Sequence, residues 1–302
     1  MSKLCLEFWV HWLEFGAMVD NINIRKVRNA LKLAKQHGVA GIEFPWKPLM
    51  ALEPEVLAKL MLAAGIKKFA LCVFYGRGGH DPLRRRDQPR VLKDLGAAVN
   101  FGYTLASYGL EFVGITGPWG FQIEKTYRKS AALRTNIQSL LMDVADLAID
   151  TSTMFALEWL QSAENKAIND PRDLFGLLNN VDCHYVGAHL DSFHFDAEQI
   201  PQKAILEAAG KHLLWYHVSG HQRFTPGGVG DTIEWPLVAD GLSKNIELGG
   251  SLKAVCFEGF SRDFRKLVPE IGRTYPQDVP AQVGLPLCRK TLEDAGIIGK
   301  AT

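Results

Sequence analysis

Short apolar runs alternate with longer stretches of helical periodicity from one end of this chain to the other, and that alternation constrains its fold more than anything else. The runs are LCLEFWV (4–10), VAGIEF (39–44), KKFALCVFY (67–75), LEFVGIT (110–116), TSTMFALE (151–158), HYVGAHLD (184–191), KHLLWYHV (211–218) and LKAVCFE (252–258). Each has the length and near-continuous apolar character of a buried strand. Between them lie IRKVRNALKLAKQHG (24–38), PEVLAKLMLAAG (54–65) and PRVLKDLGAAVNFGYTLASYG (89–109), each ending in a C-capping glycine. A further helix is predicted over 124–150, another opens at Asp170-Pro171, two more cover about 198–209 and 235–248, and the segment after Glu258 is helical in part.

Eight strands, each followed by a helix, with no compositional break, read as one (β/α)₈ barrel in a single domain over 1–302. A doubly wound open sheet would carry a glycine-rich phosphate loop after its first strand, and WVHWLEFG stands there instead. The 47% hydrophobic content is ample for a core of that size. A net charge of +1 gives no long-range pull on nucleic acid or an anionic membrane. The five cysteines are odd in number, without a CxxC pair, and read as reduced core residues. With no membrane-length apolar stretch and no secretory signal pattern at the N-terminus, a cytoplasmic protein is expected.

Four of the runs close on metal-capable side chains: Glu158, Asp191, His217 and Glu258. The C-terminal ends of barrel strands lie on one face, where active sites of this fold sit, so these residues should converge although far apart in sequence. Three carboxylates and an imidazole make an oxygen-rich site for one divalent ion, with Mn²⁺ the first expectation and Mg²⁺, Co²⁺ or Zn²⁺ also compatible. Aromatic residues near strand ends one to four (Trp9, Trp46, Phe74, Trp119) are candidates for a pocket wall or for packing. Glu7 and Glu43 either face that pocket or form structural ion pairs. His221 and the run Arg84, Arg85, Arg86 read as solvated loop residues.

This layout resembles the xylose isomerase-like barrel superfamily, in particular its ketose 3-epimerase, hydroxypyruvate isomerase and inosose dehydratase group. The resemblance is carried by the four strand ends, by His194 in HLDSFHF, and by Arg223 six residues after His217 in HVSGHQRFTPGGVGDTIEW. It implies that Glu158, Asp191, His217 and Glu258 hold the metal. By the same resemblance, His194 and Arg223 grip substrate, Glu164 in EWLQSAE does so too, and self-association into a dimer or tetramer is expected. Trp119 is the aromatic assigned to the substrate wall.

The expected chemistry is removal of a proton next to a carbonyl through an enediolate, with Glu158 and Glu258 as the catalytic pair. A small sugar or polyol ketone is the expected substrate, and dehydration of an inosose-like or keto-acid substrate is the alternative. Abasic-site endonucleases share this barrel but need further histidines from strands three and four, which here end in VFYGRGG and GITGPWG.

Overall fold

A computed structural model of the chain describes residues 4–11, 24–73, 80–119, 131–165, 167–223, 225–258 and 281–300. Strands β1 (Glu7–His11), β2 (Gly41–Pro45), β3 (Lys68–Cys72), β4 (Glu111–Thr116), β5 (Met154–Glu158), β6 (Val186–Asp191), β7 (Leu213–Val218) and β8 (Ala254–Phe257) form a closed barrel in sequence order. Every pairing is parallel, including β8 back onto β1. Parallel neighbours cannot be joined by a hairpin, so each connection crosses over outside the barrel. Helices α1 (Ile24–Gln36), α2 (Trp46–Leu49), α3 (Pro54–Ala63), α4 (Gln88–Ala106), α5 (Ala131–Thr151) and α6 (Pro171–Val181) lie in the first five crossovers, α2 and α3 sharing the second. They are followed by α7 (Ser192–Ala197), α8 (Gln202–Ala209), α9 (Trp235–Glu247) and α10 (Ala281–Asp294).

The outward strand residues and the inner helix faces make one continuous core, with Phe69, Phe155, Leu190 and Leu213 fully buried. Burial of each such side chain contributes about 1.5–3 kcal/mol. Inside the barrel the alternation of strand side chains produces two zones. Two residues before the strand-end carboxylates and imidazole stand Ala156, Trp215 and Cys256, and with Trp9, Ala70 and Ala254 these form a separate apolar cluster filling the lower half. Trp9 meets Trp215 edge-on at 5.1 Å. Gly41 makes room for that indole, because a Cβ there would stand inside the Trp9 ring. Trp9 therefore packs the barrel floor and not a pocket wall at its mouth.

Helix ends follow local chemistry. Asp170 caps α6 through a bond accepted from the Arg172 amide at 2.8 Å, with Pro171 in the first turn. The turn expected at Gly65 has its left-handed backbone, φ +76. Strand β1 starts at Glu7 rather than 4, since Leu6 makes only an isolated bridge to Ile298. The helix expected over 124–150 begins at Ala131 among the described residues; 124–130, Phe74 and 259–280 lie outside them. The helix expected over about 198–209 is α8, which starts at Gln202 after Pro201, and the short α7 precedes it as an element not expected from the sequence. None of the described helices is long and apolar enough to cross a membrane.

Candidate metal centre

Register brings the four strand ends together. Glu158 pairs with His189 across β5 and β6, Asp191 with His217 across β6 and β7, and His217 with Cys256 across β7 and β8. Glu158, Asp191, His217 and Glu258 each offer a donor atom within 4.8 Å of the others, and all four are buried. The strand ends are pinned from behind. Ser192 Oγ donates to the Ser219 carbonyl at 2.7 Å and accepts from its amide at 2.7 Å, while Ser219 Oγ donates to the Glu258 carbonyl. Asp191 Oδ1 caps α7 by accepting from the Phe193 amide at 2.9 Å, which fixes the carboxylate's rotation. Its other oxygen, Oδ2, accepts from Arg223 Nη1.

Arg223 is more deeply placed than a loop residue six positions beyond a strand suggests. Its Nη1 donates to Asp191, to Glu258 and, at 3.0 Å, to Ser219 Oγ, and its guanidinium lies 4.1 Å from the Phe193 ring centre. Gln222 and Arg223 reach this position through left-handed backbone, φ +50 and +62, in a short turn over His221–Arg223. His221 joins the same turn to α7 through Asp196 at 2.7 Å.

The charges are strongly interdependent. Burial pushes Glu158 well above the ordinary carboxylate range, and Glu258 adds to the effect. Burial also raises Asp191, to about 7, although Arg223 pulls against it. For Glu258 burial is outweighed by Arg223 and His217, which hold it well below its usual value. Burial opposes the charged form of His217 too, yet Glu43 and Glu258 on either side outweigh it and keep the imidazole well above its usual value. A crowd of buried carboxylates is costly unless cations compensate it. Three carboxylates and one imidazole at this spacing fit a divalent ion of the hard or borderline class.

His194 is fully buried with Nε2 3.5 Å from Glu158 Oε1, and neither ring nitrogen makes a hydrogen bond. Burial, reinforced by Arg223, holds it well below its usual value, so it faces the centre as a neutral ring. Glu164 lies half-buried in the loop after β5, accepting from Gln161 Nε2 at 3.0 Å. Trp119 is fully buried and packs edge-on against Phe155 at 5.9 Å, within the main core. Trp46 is buried in that core as well. Glu7 forms an ion pair with Lys68 at 2.6 Å, whereas Arg84 pairs with Asp81 at 3.1 Å.

Two polar residues inside the barrel, His11 and His189, were not picked out from the sequence, and Glu43 was left open between facing the pocket and a structural ion pair. His11, Glu43 and His189 are all buried beside the cluster. Glu43 Oε2 is 2.6 Å from His217 Nε2, and the His189 ring centre is 4.0 Å from that of His217. The available signal was alternation: His189 stands two residues before Asp191, hence on the same face.

Known proteins share the barrel. The family model described as "Xylose isomerase-like TIM barrel" matches residues 31–249. A probable ketose 3-epimerase of Synechocystis sp. is 30% identical over 126 residues, 41% of this chain and 43% of that protein. A D-psicose 3-epimerase of Ruminiclostridium cellulolyticum is 28% identical over 134 residues, 44% of each. The matched stretch thus spans less than half the length of these curated relatives. A solved D-allulose 3-epimerase of Methylomonas sp. superposes with a TM-score of 0.78 over 98% of this chain and 100% of that one, at 17% identity, a likeness of fold. With the family model covering most of a closed eight-stranded parallel barrel, the chain belongs to the xylose isomerase-like TIM barrel family.

Proposed function

We propose that this protein is a divalent-metal-dependent sugar epimerase or isomerase that works by moving a proton on the carbon next to a carbonyl, most directly on a ketose. The observation that carries this reading is the convergence of Glu158, Asp191, His217 and Glu258 within 4.8 Å at the C-terminal end of the barrel strands. Similarity to proteins named as ketose 3-epimerases supports the same class.

The four residues would hold one ion, Mn²⁺ first among the candidates. When bound, such an ion supplies Lewis acidity toward a carbonyl oxygen and so acidifies the neighbouring C–H. Glu158 and Glu258 sit on β5 and just beyond β8, separated around the barrel by β6 and β7. One carboxylate takes the α-proton as the C–H electron pair enters the C=C bond of an enediolate. The other, protonated, returns a proton from the opposite side and inverts the centre. His194, with both ring nitrogens unbonded, and Arg223 are the groups that would bind substrate hydroxyls. Glu164, in the loop after β5, would extend that surface, and Trp119, packed against Phe155 in the core, would back it. The whole chain is read as one catalytic domain acting on a small polyhydroxylated ketone, in a self-associated form.

The test is proton exchange in deuterated water across a panel of ketoses, inososes and keto-acids, beside an abasic-site duplex. The expected result is metal-dependent deuterium incorporation next to the carbonyl of at least one ketose. Glu158→Gln and Glu258→Gln should each cut that exchange by about 10²- to 10⁴-fold. Metal-dependent duplex cleavage without exchange on any panel member would replace this reading with a nuclease.

A further inference from the structure

We infer that Glu43 is a positioning residue for the metal centre: its carboxylate accepts a hydrogen bond from the Nε2–H of His217 and leaves Nδ1 as the nitrogen presented to the ion. The inference rests on the metal reading proposed above and deepens it. His217 stands between two carboxylates, with Nε2 2.6 Å from Glu43 Oε2 and Nδ1 2.9 Å from Glu258 Oε2. Only the Glu258 side belongs to the four-donor cluster. An imidazole that presents one nitrogen to a metal carries its proton on the other, and a carboxylate acceptor there fixes both the tautomer and the ring plane.

Glu43 is itself immobilised from three other strands. It is fully buried, and its Oε1 accepts the Thr116 hydroxyl of β4. His11 of β1, its register partner, has Nε2 3.6 Å from Oε2, and Cys256 of β8 points its thiol at the same oxygen from 3.7 Å. A buried carboxylate surrounded by donors on β1, β4, β7 and β8 is held for its acceptor capacity, since otherwise its desolvation would be uncompensated.

Glu43, His217 and Cys256 also lie close enough together to be considered as a second metal site. The spacing argues against it. Two ligands each about 2.1 Å from one ion stand roughly 3 Å or more apart. The 2.6 Å between Glu43 and Nε2 is the distance of a charge-assisted hydrogen bond instead.

Co²⁺ titration of the full-length chain, read by calorimetry and by the visible spectrum of the bound ion, tests this. Wild-type protein should bind one equivalent. Glu43→Gln, which keeps the volume, should bind about 10-fold more weakly and shift the Co²⁺ spectrum, and Glu43→Ala should lose about 10- to 100-fold. Thr116→Val, which loosens Glu43 without removing its charge, should fall between wild type and Glu43→Gln. Circular dichroism checks that each variant is folded, and if Glu43→Ala is not, Glu43→Gln and Thr116→Val decide. Wild-type protein that binds no Co²⁺ overturns the metal reading itself. Wild type that binds it while Glu43→Gln binds within twofold, with an unchanged spectrum, overturns the role of Glu43 alone.

Discussion

Asp191 divides its carboxylate between two tasks, one oxygen capping α7 and the other facing the donor cluster through Arg223. Asparagine is as good an N-cap as aspartate but lacks the charge. After chelator treatment Asp191→Asn should therefore melt close to chelator-treated wild type, while metal occupancy, measured by elemental analysis after metal loading and dialysis, falls at least tenfold. Retained stoichiometric metal would remove Asp191 from the ligand set. Arg223→Ala makes the complementary prediction: turnover falls or KM rises while metal content stays, because the proposed role of the guanidinium is to grip substrate and not to ligate the ion. At this scale the sequence disclosed the residues that end apolar runs and concealed those inside them. Glu158, Asp191 and Glu258 break a hydrophobic pattern where a strand stops. Glu43 and His189 sit within strands, where a polar residue reads equally well as an outward ion pair. Their direction depends on strand register, which only the closed barrel supplies.

The loop between β7 and α9 shows how an element can be organised by a single side chain. Asp231 accepts from the amides of His221 at 3.0 Å, Gly227 at 2.6 Å and Ile233 at 3.2 Å, and from Trp235 Nε1 at 2.7 Å. It thereby ties the turn that carries Arg223 to the start of α9. Removing a shared acceptor leaves several donors to find water, so Asp231→Ala should cost about 1–3 kcal/mol, read from urea denaturation. It should also raise KM more than it lowers kcat, since the loop that aims Arg223 is loosened. An unchanged denaturation midpoint and KM would show that the loop holds its shape without Asp231. Pro226, Gly227 and Gly228 are turn-forming residues, but nothing in the sequence points to the hub, whose partners are mostly backbone amides at unpredictable offsets. Strand cores were legible throughout because apolar runs of that length have few other uses. The six-residue α7 was not, being too short for its period to register, although the Asp191 cap that starts it is visible in retrospect.

For the molecule as a whole, the barrel joins the ligand set to global stability. Its donors come from β5, β6, β7 and the end of β8, and β8 closes onto β1, so an ion bound there ties consecutive parts of the closing half of the barrel. Binding to the folded state alone stabilises it by RT ln(1 + [L]/Kd), about 2.7 kcal/mol when the ion is present at 100 times its dissociation constant. For a domain of this size that is a rise of roughly 4 °C in melting temperature. Mn²⁺ added to chelator-treated protein should produce a rise of that order, dependent on concentration, and Asp191→Asn should abolish it. A nonspecific salt effect would act equally on wild type and variant, because screening does not depend on one buried carboxylate. Equal shifts in the two proteins would therefore separate metal binding from the four strand ends, and with it the step that connects this barrel to its proposed chemistry.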